Sequence, residues 1–97
     1  MNMLHHEVER KREQILRICE RHGVASVRVF GSVVRGEAGM DSDLDLLVEL
    51  SGARTPWWPG GIVAELEELL GRRVDVVTET ALHPLIRDAV LREARPL

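Results

Sequence analysis

With a single cysteine, the 97-residue chain cannot close an internal disulfide, and Cys19 suits a reducing compartment. The sequence also lacks any apolar run near the ~20 residues that a membrane span needs. Its first residues, MNMLHHEVERKRE, are polar and charged, which excludes a secretory leader, so a cytoplasmic protein is expected. There is no excess of positive charge: thirteen basic residues face sixteen acidic ones, for a net charge of −3. That balance disfavours bulk electrostatic binding to nucleic acid, and with it a DNA- or RNA-binding regulator. Internal repeats, low-complexity tracts and domain-boundary signals are missing too, and the expectation is one domain over residues 1–97.

What remains reads as a small globular protein. Hydrophobic residues make up 44% and charged residues 30%, a mixture that can bury a core. A domain of this size buries only part of its chain's surface, so its stability margin is thin. A bound partner or an oligomer is therefore a reasonable expectation.

The apolar spacing lays out the elements. Leu4, Val8, Ile15, Ile18 and Cys19 form one stripe of a helix over residues 4–22, with Gly23 as its C-cap. Cys19 belongs to that stripe as a small apolar group. His5 and His6 read as solvated, since two adjacent histidines are too few ligands for a metal. SVRVF, 26–30, alternates and predicts a strand, and DLDLLVEL, 43–50, predicts a second. SGARTPWWPGG, 51–61, is a loop, followed by a short helix, IVAELEELLG, closed by Gly71. RRVDVVTE, 72–79, predicts a third strand. HPLIRDAVLREA, 83–94, predicts a last helix with Pro84 in its first turn. The order is α-β-turn-β-α-β-α. A helix between the second and third strands favours a parallel pair with a right-handed crossover. The fold class is thus α+β, a small mixed sheet packed with helices.

Within that frame the stretch FGSVVRGEAGMDSDLDLLVEL, 30–50, is chemically unusual. Strand alternation puts Asp43, Asp45, Leu47 and Glu49 on one face of the second strand and Leu44, Leu46, Val48 and Leu50 on the other. The second set is the core side. Asp43 and Asp45 then project together roughly 7 Å apart, with Asp41 near by. Carboxylates this close are costly unless protonated or bound to a cation, and an all-oxygen set suits Mg²⁺. In the third strand Asp75 interrupts an apolar run. If the two strands are neighbours, Asp75 shares the face of Asp43 and Asp45, the arrangement suited to two-metal phosphoryl chemistry. The third acid would also help to draw a proton from the attacking oxygen.

Gly31 and Ser32 follow the first strand directly. A glycine there lets the backbone approach a ligand, and the succeeding N–H groups and the serine hydroxyl can hold phosphate oxygens. Arg35 is placed to neutralise a leaving pyrophosphate, or else is simply exposed. Ser42 joins the candidate nucleotide contacts, although Asp41 and Ser42 alone resemble ordinary turn residues. Two familiar phosphate and metal loops are excluded. A Walker loop needs G-x-x-x-x-G-K-[ST], and Glu37 follows Gly36. Asp41-x-Asp43-x-Asp45 starts like a calcium loop but has Leu46 at the glycine position and Gly52 at the glutamate position. Trp57 and Trp58, bounded by prolines, either pack over the core edge or stack on a base or a partner, the first being favoured by their apolar bulk.

The form GSxxRGxA…DSDLDLLVE resembles the signature of the DNA polymerase β-type nucleotidyltransferase superfamily, and in particular its smallest members, the minimal nucleotidyltransferases or MntA-like antitoxins. The resemblance covers nearly the whole chain. It implies a nucleotidyltransferase fold with two Mg²⁺ ions and ATP as substrate. Carried over, Gly31 and Ser32 grip the triphosphate, Asp43 and Asp45 hold the metals, and Asp75 is the third acid. It further implies a HEPN-domain toxin as partner, silenced by transfer of AMP to one of its tyrosines. The alternative is a binding antitoxin that neutralises its partner by contact alone. Costly clustered carboxylates favour the enzyme. Larger transferases append a base-recognition domain to this core, and none is visible here.

Overall fold

In a computed structural model, residues 3–37, 42–52 and 57–97 are described, and the side chains of residues 3–5 are not. Asp41, the middle of the 51–61 loop, and the side chains of Leu4 and His5 lie outside that set. The elements are α1 (Met3–Arg10), α2 (Arg12–Arg21), β1 (Val24–Phe30), α3 (Ser32–Arg35), β2 (Leu44–Leu50), α4 (Gly60–Leu70), β3 (Val74–Thr78), a 3₁₀ turn (Glu79–Ala81), α5 (Pro84–Glu93) and β4 (Arg95–Pro96). None of the described helices is long and apolar enough to cross a membrane.

The sheet runs β3-β2-β1-β4. β1 is antiparallel to both β2 and β4, whereas β2 and β3 are parallel, as the intervening helix requires. Side-chain alternation divides the sheet into two faces. One carries Val27, Val29, Leu44, Leu46, Val48, Val74 and Val76, all buried against Val8, Ile15, Ile18 and Cys19 from α1 and α2 and Ile62, Leu66 and Leu70 from α4. The helical and strand periods written in the sequence therefore meet in one core. The Cys19 thiol is pushed up to about 11 by burial, so it packs as an apolar group rather than a nucleophile. His6 is exposed.

Five features depart from the expected layout. The long first helix is two helices, broken at Lys11, whose φ of −101° and ψ of 13° leave the helical range. There Lys11 Nζ donates to the Leu69 carbonyl at 2.9 Å, tying the break to the end of α4. β1 starts two residues early, at Val24, with its register shifted between Val24 and Ser26. The expected turn after β1 contains a helix of four residues, α3, and the chain ends in a short fourth strand. The acid-bearing face of β2 is also not left open beyond its acids. Leu47, on that face, is 1% exposed beneath Leu82, Val90 and Ala94, with Phe30, Val77 and Leu91 around it. Helix α5 thus covers the middle of the sheet's second face and leaves its end accessible. Its start is set by Pro84 at the first turn and by His83, whose Nδ1 accepts the Leu85 N–H at 3.1 Å.

Leu47 is the main apolar residue of β2 beneath α5. Leu47→Ala is expected to cost roughly 3 kcal/mol, from lost transfer energy and the cavity left behind. Urea unfolding should show a lower midpoint, and hydrogen exchange should show the loss concentrated in α5.

Candidate active site

Three strands meet at one corner. β1 ends there, and the parallel strands β2 and β3 begin there. The register sets Phe30 opposite Asp45 and Asp45 opposite Asp75, so these three residues form one row across the sheet. The next row, Arg28, Leu47 and Val77, dips beneath α5. Asp45 and Asp75 are therefore neighbours on the same face, at the end that α5 does not cover.

Asp45 occupies the centre. Its carboxyl is half-buried, and its pKa is pushed up to about 6. Burial is the largest cause, followed by the negative charges of Asp75 and Asp43, with Arg35 pulling the other way and Glu93 adding to the rise. Asp43, exposed, stands one residue before β2, where Arg73 Nε lies 3.4 Å from its Oδ1. Asp75 is exposed on β3. Ser42 precedes the acids, and its carbonyl accepts Arg72 Nη1 at 3.0 Å.

The facing side of the corner is built by Gly31. It has φ 81° and ψ −152°, a conformation that side chains resist. A Cβ there would also overlap the Asp45 carboxylate. Glycine is needed twice over, for the turn and for the acid to approach the backbone. Ser32 opens α3 next to it and is partly buried. The turn is closed by the Arg35 N–H to the Gly31 carbonyl at 3.2 Å and the Glu37 N–H to the Ser32 carbonyl at 2.8 Å. Arg35 is brought to the same corner.

One residue of the corner has no counterpart among the candidates from the sequence. Glu93, the last residue of α5, accepts the Gly31 N–H at 2.6 Å and Arg35 Nη1 at 3.0 Å on each carboxylate oxygen. It lies 62 residues from Gly31, and no local spacing marks it. The only clue is an acid at the end of a helix that the topology returns to the sheet.

The fit of a divalent cation follows from the donor set. Asp43, Asp45 and Asp75 are hard oxygen donors; burial first, and the charges of Asp75 and Asp43 second, push the Asp45 carboxyl up to about 6, and a cation bound there would offset the mutual repulsion. Among the described residues, no group of three His, Cys, Asp or Glu side chains forms a ready-made metal cage. The fit therefore rests on the donor chemistry alone: Mg²⁺ takes one or two carboxylates and completes its shell with water and substrate phosphate.

The tryptophans separate. Trp58 packs against the core, whereas Trp57 is 81% exposed. They follow the C-terminal end of β2, and the Cβ of Trp57 lies near Gly61, which itself neighbours His22. The acids are at the opposite end of β2, so neither indole sits at the acidic corner.

Comparison with known proteins finds relatives in sequence and in fold. Residues 11–97 match the nucleotidyltransferase domain family. The protein adenylyltransferase MntA of Thermococcus cleftensis is 46% identical over 74 residues, which is 76% of this chain and 75% of that protein. A solved structure provisionally described as a minimal nucleotidyltransferase is 52% identical, with a TM-score of 0.83, over 96% of this chain and 95% of its own. The same fold occurs in a toxin–antitoxin complex crystallised with AMP-PNP, at 17% identity and a TM-score of 0.73, covering 87% of this chain and 69% of that one. It occurs again in the MntA–HepT toxin–antitoxin, at 14% identity and a TM-score of 0.67, over 91% and 69% of the two chains.

Two outcomes are expected from this corner. Because the folded state keeps a proton on Asp45 up to about pH 6 and the unfolded chain releases it near 4, stability should fall as pH rises between those values. Above pH 6 the deficit is constant, about 1–2 kcal/mol after discounting for partial exposure. Asp45→Asn should remove that slope, so in EDTA its melting temperature should exceed wild type at pH 8 and converge with it near pH 4. Gly31→Ala should cost at least about 1–3 kcal/mol through the forced φ and the overlap with Asp45. Thermal unfolding checks this, and Asp45→Gly in the same chain should recover part of the loss by removing the overlapped group.

Proposed function

The chain belongs to the nucleotidyltransferase domain family, and on that premise we propose that it moves AMP from ATP to a hydroxyl of a toxin partner, silencing it as an antitoxin. The observation that carries this is the pairing of Asp45 with Asp75 directly against the Gly31–Ser32 corner. An acid pair beside a turn that opens with a serine offers cation ligands and a phosphate donor side by side, as a nucleoside triphosphate requires.

In this proposal Ser32 receives the phosphates through its hydroxyl and N–H, while Gly31, expected from the sequence to grip them too, has its own N–H taken by Glu93 and its open face filled by Asp45, and so shapes the turn that presents Ser32. Ser42 contributes a further contact near the acids. Arg35 meets the negative charge that builds on the departing pyrophosphate. The acceptor oxygen bonds to the α-phosphorus as the bond to the β-phosphate oxygen breaks, and pyrophosphate leaves. Asp75, exposed beside Asp45, takes the acceptor's proton. Asp43, Asp45 and Asp75 are the residues that would hold Mg²⁺, two ions with the substrate in place, which when bound supplies charge neutralisation for the triphosphate. Asp43 exchanges its exposed pairing with Arg73 for that role, at small cost because both groups are solvated. The partner proposed is a HEPN-domain toxin, the acceptor a tyrosine and the compartment the cytoplasm. The protein adenylyltransferase MntA of T. cleftensis and the toxin–antitoxin assemblies that share this fold support adenylyl transfer and a toxin partner.

Incubation with α-³²P-ATP, Mg²⁺ and a HEPN-domain toxin should place label on the toxin and suppress its activity. Asp43→Asn/Asp45→Asn should lower labelling more than about 100-fold, the scale expected when charge stabilisation of the transition state is removed. A toxin that is bound and inhibited equally by wild type and by this variant, without label, would overturn transfer in favour of neutralisation by contact.

A further inference from the structure

Within the nucleotidyltransferase reading, on which this inference rests, we propose that Glu93 is a positioning residue: it fixes Arg35 and the Gly31 turn in the arrangement that receives a triphosphate. Its carboxylate does two things at once. One oxygen accepts the Gly31 N–H at 2.6 Å, and both oxygens accept Arg35 Nη1 at 3.0 Å. Charge-assisted bonds of this kind are about twice as strong as neutral ones.

The first bond acts on the backbone. Gly31 holds φ 81° and ψ −152°, one of many conformations open to a glycine. A bond from its N–H to a fixed acceptor selects that one, and so sets where Ser32 begins α3 and how closely Asp45 approaches. The second acts on a long side chain. Free arginine loses up to about 2 kcal/mol of rotamer entropy on being fixed. Here Glu37 accepts Arg35 Nε at 3.1 Å on one side while Glu93 accepts Nη1 on the other. Two of the three guanidinium nitrogens are thereby committed. Nη2 has no partner among the described residues, and it is the donor left for a phosphate oxygen.

Glu93 is itself firmly placed. Ala94, the next residue, is 8% exposed within the α5 cluster, and Arg95 and Pro96 then pair with Val29 and Arg28 of β1. The carboxylate is thus anchored to the strand that carries Gly31. Its location is otherwise unfavourable, since it adds a negative charge near Asp45. A carboxylate tolerated there is held by the two donors it organises.

The test is Mg-ATP binding by isothermal titration calorimetry with wild type, Glu93→Gln, Arg35→Ala and the double variant. Glutamine keeps an oxygen for the Gly31 N–H but loses the charged grip on Arg35. Glu93→Gln is expected to weaken Mg-ATP about tenfold, Arg35→Ala about as much, and the double variant no more than Arg35→Ala alone. Equal binding by wild type and Glu93→Gln overturns the proposal. So do losses that multiply in the double variant, since Glu93 would then act independently of Arg35. Amide NMR without nucleotide gives a second measurement. The Gly31 amide proton should lie far downfield and exchange slowly in wild type, and lose both properties in Glu93→Ala while α2 and α4 amides keep their shifts. An unmoved Gly31 resonance overturns the proposal as well. Wild-type protein that binds no Mg-ATP overturns the nucleotidyltransferase reading and this proposal together, so the two failures are told apart by the wild-type titration.

Discussion

A half-buried carboxylate pressed against a glycine backbone governs the acidic end of this protein. Asp45 cannot be moved outward without leaving the row it shares with Phe30 and Asp75, and cannot be moved inward because β2 is committed to the core through Leu44 and Leu46. Gly31 has to be glycine because Asp45 is there. The repulsion among Asp43, Asp45 and Asp75 persists because the strands that bear them are fixed by apolar contacts on the reverse face. Stability is thus generated on one side of the sheet and spent as electrostatic tension on the other, near a point where a cation and a polyphosphate would discharge it.

Helix α5 connects the two sides. It buries Leu47 in the second row of the acid face and ends at Glu93 in the corner itself. Much of its outward surface, including Leu85 at 88% exposure and Ile86 at 51%, carries no core contact. The helix therefore works as a lever laid across the sheet, pinned at its middle by Val90 and at its end by the ion pair with Arg35.

Much of this was legible in the residues. Alternation in DLDLLVEL assigned Leu44, Leu46 and Val48 to the core and Asp45 to the opposite face, because a two-residue period admits no other division once one side is apolar. The helix between the second and third strands forced a parallel pair, and that pairing brought Asp75 beside Asp45. Other features were not legible, for definite reasons. The break at Lys11 lies in an uninterrupted helical pattern and is accompanied by a contact to Leu69, far along the chain. Leu47 looked like the odd apolar residue of a polar face because its cover arrives from residues 82–94. Glu93 was invisible as part of the corner since its partners are set by the return of α5 and the pairing of β4, which no local window contains. The tryptophan pair divided, Trp58 onto the core and Trp57 outward, and two adjacent indoles in one loop carry no period that would mark which packs.

Pro96 has one more effect. β4 is two residues long and lies at the outer limit of the sheet, and a proline has no N–H to offer a further strand. At that position the ladder has no donor for a further strand. On the opposite flank, β3 is only five residues and bears the charge of Asp75, which also repels an incoming strand. The acid that lies beside Asp45 thus has a second consequence, a charge on the strand at the sheet's margin.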